Sequence, residues 1–384
     1  MFKKIEDFFD SFYTRAETIP AGIYLYQAPP DAELPYKLHL RVESDGSGIL
    51  ILNASTVLHL NQTAAEYTYY LIKGMEKSAI ADTVSQRYSI PRETAEQDLV
   101  EFMDKIDALV NSQDLDPVTF LDMERVAPYS QKLSAPYRLD CALTYRVSDG
   151  TDASVAPTER VSRELSTAEW QTVMKNAWQA GIPHIIFTGG EPTLRDDLPE
   201  LITYAEELGL VSGLLSDGYK LAAKKYSLDL LEKGLDHILL LANPDDKRFW
   251  SALKVLMPLD IAVTVHITLT ANNCAGFPAL LDKLAKADVV SVSLSVAEES
   301  LSDELQKAGE QAAALGMSQV WDLPVPYSAS HPVAFELADQ KTPQGAGKAW
   351  LYVEPDGDVL PAQGVNKVLG NLLTDPWEKI WKRH

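Results

Sequence analysis

The chain has 384 residues, of which 46% are hydrophobic and 23% charged, the balance of a globular protein long enough for two or three cores. A formal net charge of -21 excludes a general phosphate-binding surface, so nucleic acid is not an expected partner. Only two cysteines occur, Cys141 and Cys274; they give no disulfide framework, point to a reducing, cytoplasmic setting, and cannot build any site that needs three thiolates.

Residues 1–34 open with "MFKKIEDFFDSFYTR", in which Phe2, Ile5, Phe9 and Phe12 fall on one helical face. Acids interrupt every apolar stretch, so this is not a signal peptide. The face is expected to pack on its own protein or a partner subunit rather than on a membrane. No apolar run reaches the roughly 20 residues that span a bilayer, so no transmembrane segment is expected.

Residues 35–112 read as a compact unit. "YKLHLRV", "GILIL" and "STVLHL" are strand-like, and "SDGSG" supplies hairpin chemistry. Three helical patterns follow. The first runs between Asn61 as cap and Gly74 as stop; the second carries Ile80, Val84 and Tyr88; the third opens at Pro91 and spaces Leu99, Phe102, Met103, Ile106 and Leu109. Three strands followed by three helices is a winged-helix-like α+β layout. Residues 113–136 have little periodicity and several prolines, which predicts a linker.

Residues 137–340 alternate strand and helix. Strands are predicted at "RLDCALTY", "HIIFT", "VSGLLS", "DHILLLA", "IAVTVHITLT" and "VVSVSLS". The helix "STAEWQTVMKNAWQAG" has a capping box of Ser166 and Glu169 and a stop at Gly181. Repeated βα units predict an α/β fold with a parallel sheet, six units closing part way around a (β/α)6 barrel, with ligands at the carboxyl ends of the strands. Residues 341–384 pair two short strands around "EPDGD" and end in an aromatic helix. This segment is too short to fold alone, and Trp350, Trp377 and Trp381 are expected to pin it to the barrel.

At "FTGGEPTLRDDLPELI" a strand runs into Thr188, Gly189, Gly190, Glu191 and Pro192 before a helix begins. The glycines allow close backbone approach, and Glu191 offers a carboxylate to an ammonium group; a plain strand-to-helix turn is the alternative. Taken in order, "LTYR", "TGGEP", "LLSDG" and the terminal "YVEPDGDVLP" resemble the radical S-adenosylmethionine (SAM) superfamily with a SPASM- or twitch-like C-terminal extension. The unit at 35–112 resembles the PqqD-like family, also called the RiPP recognition element, chiefly through "LNQTAAEYTYYLIKG". The first resemblance implies a SAM pocket in which Gly189, Gly190 and Glu191 hold the methionine amino group. Ser216 and Asp217 then lie along the same ligand, and Asn273 matches a frequent polar position. The second implies binding of a leader-type peptide by strand addition at Val57, Leu58, His59 and Leu60; docking on its own barrel, or a homodimer through the same edge, stays open.

The chain departs from the first family where its cluster is held. The three positions of Cys-x-x-x-Cys-x-x-Cys carry Val147, Thr151 and Ser154, and the auxiliary-cluster positions carry Gln344 and Ala362. None is a soft thiolate donor, so no iron–sulfur cluster and no radical cleavage of SAM are expected, while SAM binding stays open. His184, His237 and His266, with Asp140, Asp236 and Asp322, lie on or beside strands. A metal held by nitrogen and oxygen is one reading of them, but His184 and His237 stand at the starts of strands, away from the mouth. Three functions remain open: a cluster-free protein that binds a peptide as recognition or scaffold partner of a modifying enzyme, an enzyme using the barrel pocket for non-radical chemistry, and a structural subunit.

Overall fold

The computed structural model describes residues 19–29, 36–52, 56–111, 133–150, 161, 163–320 and 345–382. The expected helix through Phe2 and Phe12, most of the linker, and the positions Thr151, Ser154, Asp322 and Gln344 lie outside the described residues. The chain forms two compact units, Met1–Ala127 and Pro128–His384.

In the first unit, strands β1 (Gly22–Gln27), β2 (Lys37–Val42), β3 (Gly48–Leu52) and β4 (Thr56–Leu60) form an antiparallel sheet in chain order. Helices α1 (Gln62–Ile72), α2 (Lys77–Tyr88) and α3 (Arg92–Asn111) follow. Because side chains alternate along a strand, the pairing of Leu40 with Leu50 and Leu50 with Leu58 puts one apolar face of the sheet together. It packs against Ala65, Ile80, Val84 and Leu99 of the three helices. Asn61 caps α1 through its side-chain oxygen, which accepts from Ala64 N at 2.9 Å, and Gly74 follows the helix at φ 71°. Strand β1 corrects the sequence reading of 1–34, which had no strand. "GIYLYQ" is short and follows Pro20, and pairing with β2 along its whole length decides its conformation where local periodicity could not.

The second unit is built on a ten-stranded sheet. Strands β5 (Arg138–Thr144), β6 (His184–Gly189), β7 (Val211–Ser216), β8 (His237–Leu241), β9 (Ala262–Leu269), β10 (Ser291–Val296) and the short β11 (Ser318–Gln319) run parallel in chain order. Between them lie α4 (Thr167–Ala180), α5 (Leu198–Glu207), α6 (Lys224–Glu232), α7 (Lys247–Leu256), α8 (Phe277–Ala285) and α9 (Ser302–Ala314). The C-terminal segment joins the same sheet: β12 (Trp350–Val353) pairs parallel with β5, and β13 (Asp358–Leu360) and β14 (Gly370–Asn371) continue it antiparallel. Strands β11 and β14 end the sheet on opposite sides, so the described strands form a partial, open barrel.

One face of this sheet, with Leu139, Cys141, Leu143, Phe187, Leu214, Leu240, Val265 and Ile267, packs on the helices. The other face is the lumen, where Ile186, Leu215 and Leu239 make a separate apolar cluster. Helix α4 has the capping box and the Gly181 stop that the sequence predicts. The C-terminal segment is tied down by α10 (Trp377–Trp381), whose Trp377 and Trp381 rings stack at 5.3 Å and donate to the carbonyls of Ser134 and Leu133.

Candidate functional site

The exits of β5, β6 and β7 meet at the mouth of the lumen. Gly189 adopts φ 125°, a conformation that suits glycine. Gly190 N donates to Thr144 O at 2.8 Å and Glu191 N to Arg146 O at 2.7 Å. A Cβ on Gly189 would lie 2.1 Å from Thr144 O, and one on Gly190 2.1 Å from Arg146 O. The close approach these glycines permit is therefore to the chain's own backbone after β5, and they lock that exit against β6.

Glu191 is buried beside this lock. Its Oε1 accepts from Thr193 N (3.0 Å), Thr193 Oγ1 (2.6 Å) and Ser216 Oγ (2.9 Å), and its Oε2 from Asp217 N (2.8 Å). Oε1 carries three of these four bonds and Oε2 one, so Oε2 is the oxygen with acceptor capacity left for a further donor. Burial, then the neighbouring charge of Asp217, raise the Glu191 carboxyl to about 8, against the pull of its hydrogen bonds with Thr193 and Asp217. The site is short of positive charge, which an ammonium group would supply. Ser216 Oγ also accepts from Gly218 N (3.0 Å) and Asp217 Oδ1 from Tyr219 N (2.9 Å), so both residues shape the β7 exit as well as facing Glu191. Thr188, at the end of β6, has a fully buried hydroxyl with no hydrogen-bond partner. Pro192 starts the short 3-10 turn that brings Thr193 back onto Glu191.

Asn273 stands apart from this group in its chemistry. Its Oδ1 accepts from Thr270 N (2.8 Å) and its Nδ2 donates to Thr268 O (2.9 Å); the side chain is committed to the turn after β9. One residue that sequence reasoning missed is Arg195. It donates to Leu143 O (3.2 Å) and Leu165 O (3.0 Å) and pairs in a fork with Asp197 (2.8 and 2.6 Å), stapling the β5 exit from behind. Nothing in "TLRDD" marks its role, because beside the nearby Asp197 its partners are two backbone carbonyls distant in sequence.

His184 and His237 stand at the first residues of β6 and β8, and their Nε2 atoms are 2.8 Å apart. They satisfy each other at the end of the lumen away from the mouth. His266 lies nearer the mouth among hydroxyls of β9 and β10. Among the described residues no group of three or more His, Cys, Asp or Glu is placed to hold a metal ion. In the first unit, Val57 to Leu60 form β4, the strand that ends the sheet order.

An open, mostly parallel sheet with a Gly-Gly-Glu turn at its mouth, preceded in the chain by a small sheet-and-helix unit, defines a protein of radical SAM type carrying a PqqD-like domain. The sequence model for Coenzyme PQQ synthesis protein D (PqqD) matches residues 48–109. The PqqA peptide cyclase of Methylobacterium sp. (strain 4-46) is 30% identical over 288 residues, covering 65% of this chain and 73% of the relative; that of Streptomyces rochei is 25% identical over 280 residues, covering 65% and 76%. The chain belongs to the PqqA peptide cyclase family. Among solved structures, Streptococcus suis SuiB bound to precursor peptide SuiA has a TM-score of 0.57 at 15% identity, over 95% of this chain and 88% of that one. SuiB bound to S-adenosylmethionine has a TM-score of 0.55. No helix among the described residues is long and apolar enough to cross a membrane.

The family implies a [4Fe–4S] cluster and SAM, and this chain's residues fit the two unequally. Val147 offers no donor and buried Ala362 offers only a methyl. Cys141 points to the helix side of β5 within the main core, where burial, then the charge of Asp140, push its thiol well above the usual range. Cys274 sits after β9 in the turn Cys274–Gly276. These donors do not fit a cluster. For SAM, the remaining acceptor position on Glu191 and the unpartnered Thr188 hydroxyl fit the polar end of the molecule, with Gly189 and Gly190 framing the turn.

Proposed function

We propose that this protein is a cluster-free member of its family that captures a peptide through its PqqD-like unit and serves as recognition or scaffold partner of a peptide-modifying enzyme. The observation that carries the reading is the donor set: two thiols in 384 residues, one of them sealed on the helix side of the sheet. A cube of iron and sulfide is held by thiolates, and the alternatives here are a valine, an alanine, an amide and two hydroxyls. Peptide capture is supported by β4 as the end strand of its sheet, where an added strand finds main-chain partners, and by relatives named for a peptide substrate. The mouth retains a place for SAM as a bound ligand, with Glu191 its anchor.

Anaerobic reconstitution with iron and sulfide tests the central part. The full chain is expected to show no thiolate-to-iron charge-transfer band and no reductive formation of 5′-deoxyadenosine; a brown protein with stoichiometric sulfide overturns the reading. Peptide capture is tested separately by anisotropy of a labelled PqqA-type precursor peptide, which Val57→Asp, at a half-buried position of β4, should weaken at least tenfold without unfolding the unit.

A further inference from the structure

The lumen has two unlike walls. On β6, β7 and β8 it is apolar, with Ile186, Leu215 and Leu239 in contact. On β9 and β10 the inner positions are Thr264, His266 and Thr268, and Ser291, Ser293 and Ser295, in register His266 with Ser293 and Thr268 with Ser295. The intervening Val265, Ile267, Val292 and Leu294 go to the helix-side core. Packing alone does not call for this. Buried hydroxyls and imidazoles must all find hydrogen bonds, whereas aliphatic side chains, which fill the opposite wall, need none.

The polar wall has a direction. His266 is buried, and its Nδ1 is 3.0 Å from Ser293 Oγ. Its Nε2 is 3.0 Å from Ser295 Oγ and 3.2 Å from Thr268 Oγ1, and those two hydroxyls are 3.0 Å apart. Ser293 is buried, whereas Ser295 is only half-buried, one residue before β10 ends. Ligands of parallel α/β sheets meet this end of the strands. A hydroxyl within hydrogen-bond reach of an imidazole, whose other nitrogen is held by a third group, is the arrangement of an activated nucleophile.

We propose that Ser295 is a serine nucleophile with His266 as its general base, a site for carboxylic esters and thioesters at the lumen mouth. Nδ1–H donates to Ser293 Oγ, leaving Nε2 to accept the Ser295 proton. Ser295 Oγ bonds to the acyl carbon, the ester or thioester bond breaks, and the proton on Nε2 passes to the departing alkoxide or thiolate. Water then repeats the exchange: its proton goes to Nε2, its oxygen bonds to the acyl carbon, and the acid leaves as Ser295 regains its proton. The base is backed by a hydroxyl rather than a carboxylate, so substrates whose leaving group needs little help from an acid are favoured over amides.

The test is fluorophosphonate labelling of the full chain, read by intact mass and peptide mapping. One adduct on Ser295 is expected, absent in Ser295→Ala and formed at least tenfold more slowly in His266→Gln, with circular dichroism unchanged. A second variant removes the dependence on a deletion: Ser295→Cys should be alkylated by iodoacetamide at pH 7 at least tenfold faster than Cys274, and the added His266→Gln should erase that difference. No adduct on Ser295, labelling that persists in Ser295→Ala, or a Cys at 295 no faster than Cys274 overturns the proposal, and none of these outcomes touches the peptide-binding reading.

Discussion

The ring of His237 fills the space that any side chain at position 213 would need: a Cβ on Gly213 would come within 2.2 Å of the His237 Cε1. The missing side chain lets the ring fold across the inner face until its Nε2 meets that of His184 at 2.8 Å. The accepting ring of such a pair must be neutral, and burial favours the neutral form of both. Burial lowers the His184 imidazole well below its usual range, helped by the charges of His237 and Arg138; burial and Arg138 lower His237 to about 4.

That pair makes the second unit acid-labile. The folded pKa lies below the unfolded value of 6.5, so the unfolded chain binds more protons between the two. Its contribution to stability is complete above about 6.5 and lost as pH falls towards 4. A tenfold change in proton affinity is about 1.4 kcal/mol, so His237 alone makes stability fall by on the order of 3 kcal/mol over that window. Urea unfolding at pH 7, 5.5 and 4, followed by tryptophan fluorescence, measures it. Between pH 7 and pH 4 the parent is expected to lose more stability than His237→Gln, by on the order of 3 kcal/mol; equal losses in the two proteins would overturn it.

Gly190→Ala should be among the most damaging single changes in the chain. The added methyl would sit 2.1 Å from Arg146 O, a backbone atom held by the bond from Glu191 N, so neither side yields without breaking the lock between β5 and β6. A loss of about 3 kcal/mol or more is expected, read as a fall in the thermal midpoint. Gly276→Ala is the control, because nothing lies within 4 Å of a Cβ there.

Gly189 and Gly190 also show what the sequence could and could not reveal. The "TGGEP" turn, its place at a strand end and the succession of βα units were legible from periodicity and motif, since each depends on neighbours in sequence. What the glycines grip was not: the Thr144 and Arg146 carbonyls arrive from β5 and its exit, whereas Ser216 and Asp217 were placed beside Glu191 by the family resemblance alone. Likewise β1 was hidden because its conformation comes from pairing with β2, and the Ser-His wall because alternate residues of β9 and β10 become neighbours only through sheet register. Asn61 and the Ser166–Glu169 box were readable because capping is local.

The thiols should report the sheet's two faces. Cys141 is buried among Leu139, Leu143 and their helix-side neighbours, with its thiol pushed well up, while Cys274 is only half-buried. The native full chain is expected to release one equivalent of thionitrobenzoate promptly from Ellman's reagent and the second only after unfolding. Two fast equivalents in the native state would contradict the orientation of β5.

Asp217→Asn separates the two causes acting on Glu191. Burial is the larger and Asp217 the second, so removing the charge should lower the Glu191 carboxyl from about 8 without returning it to an ordinary value. The amide oxygen can still accept from Tyr219 N, as Asp217 Oδ1 does, so the turn is preserved. A folded pKa raised above the unfolded 4.5 gives stability that is complete below 4.5 and lost as pH rises through about 8. The parent should therefore weaken between pH 6 and 9, and the variant should weaken less, gaining on the order of 1 kcal/mol on the parent at pH 9. Urea midpoints at both pH values decide it. A gap between the two proteins that is the same at pH 6 and pH 9 would mean that Asp217 does not act on Glu191 through its charge.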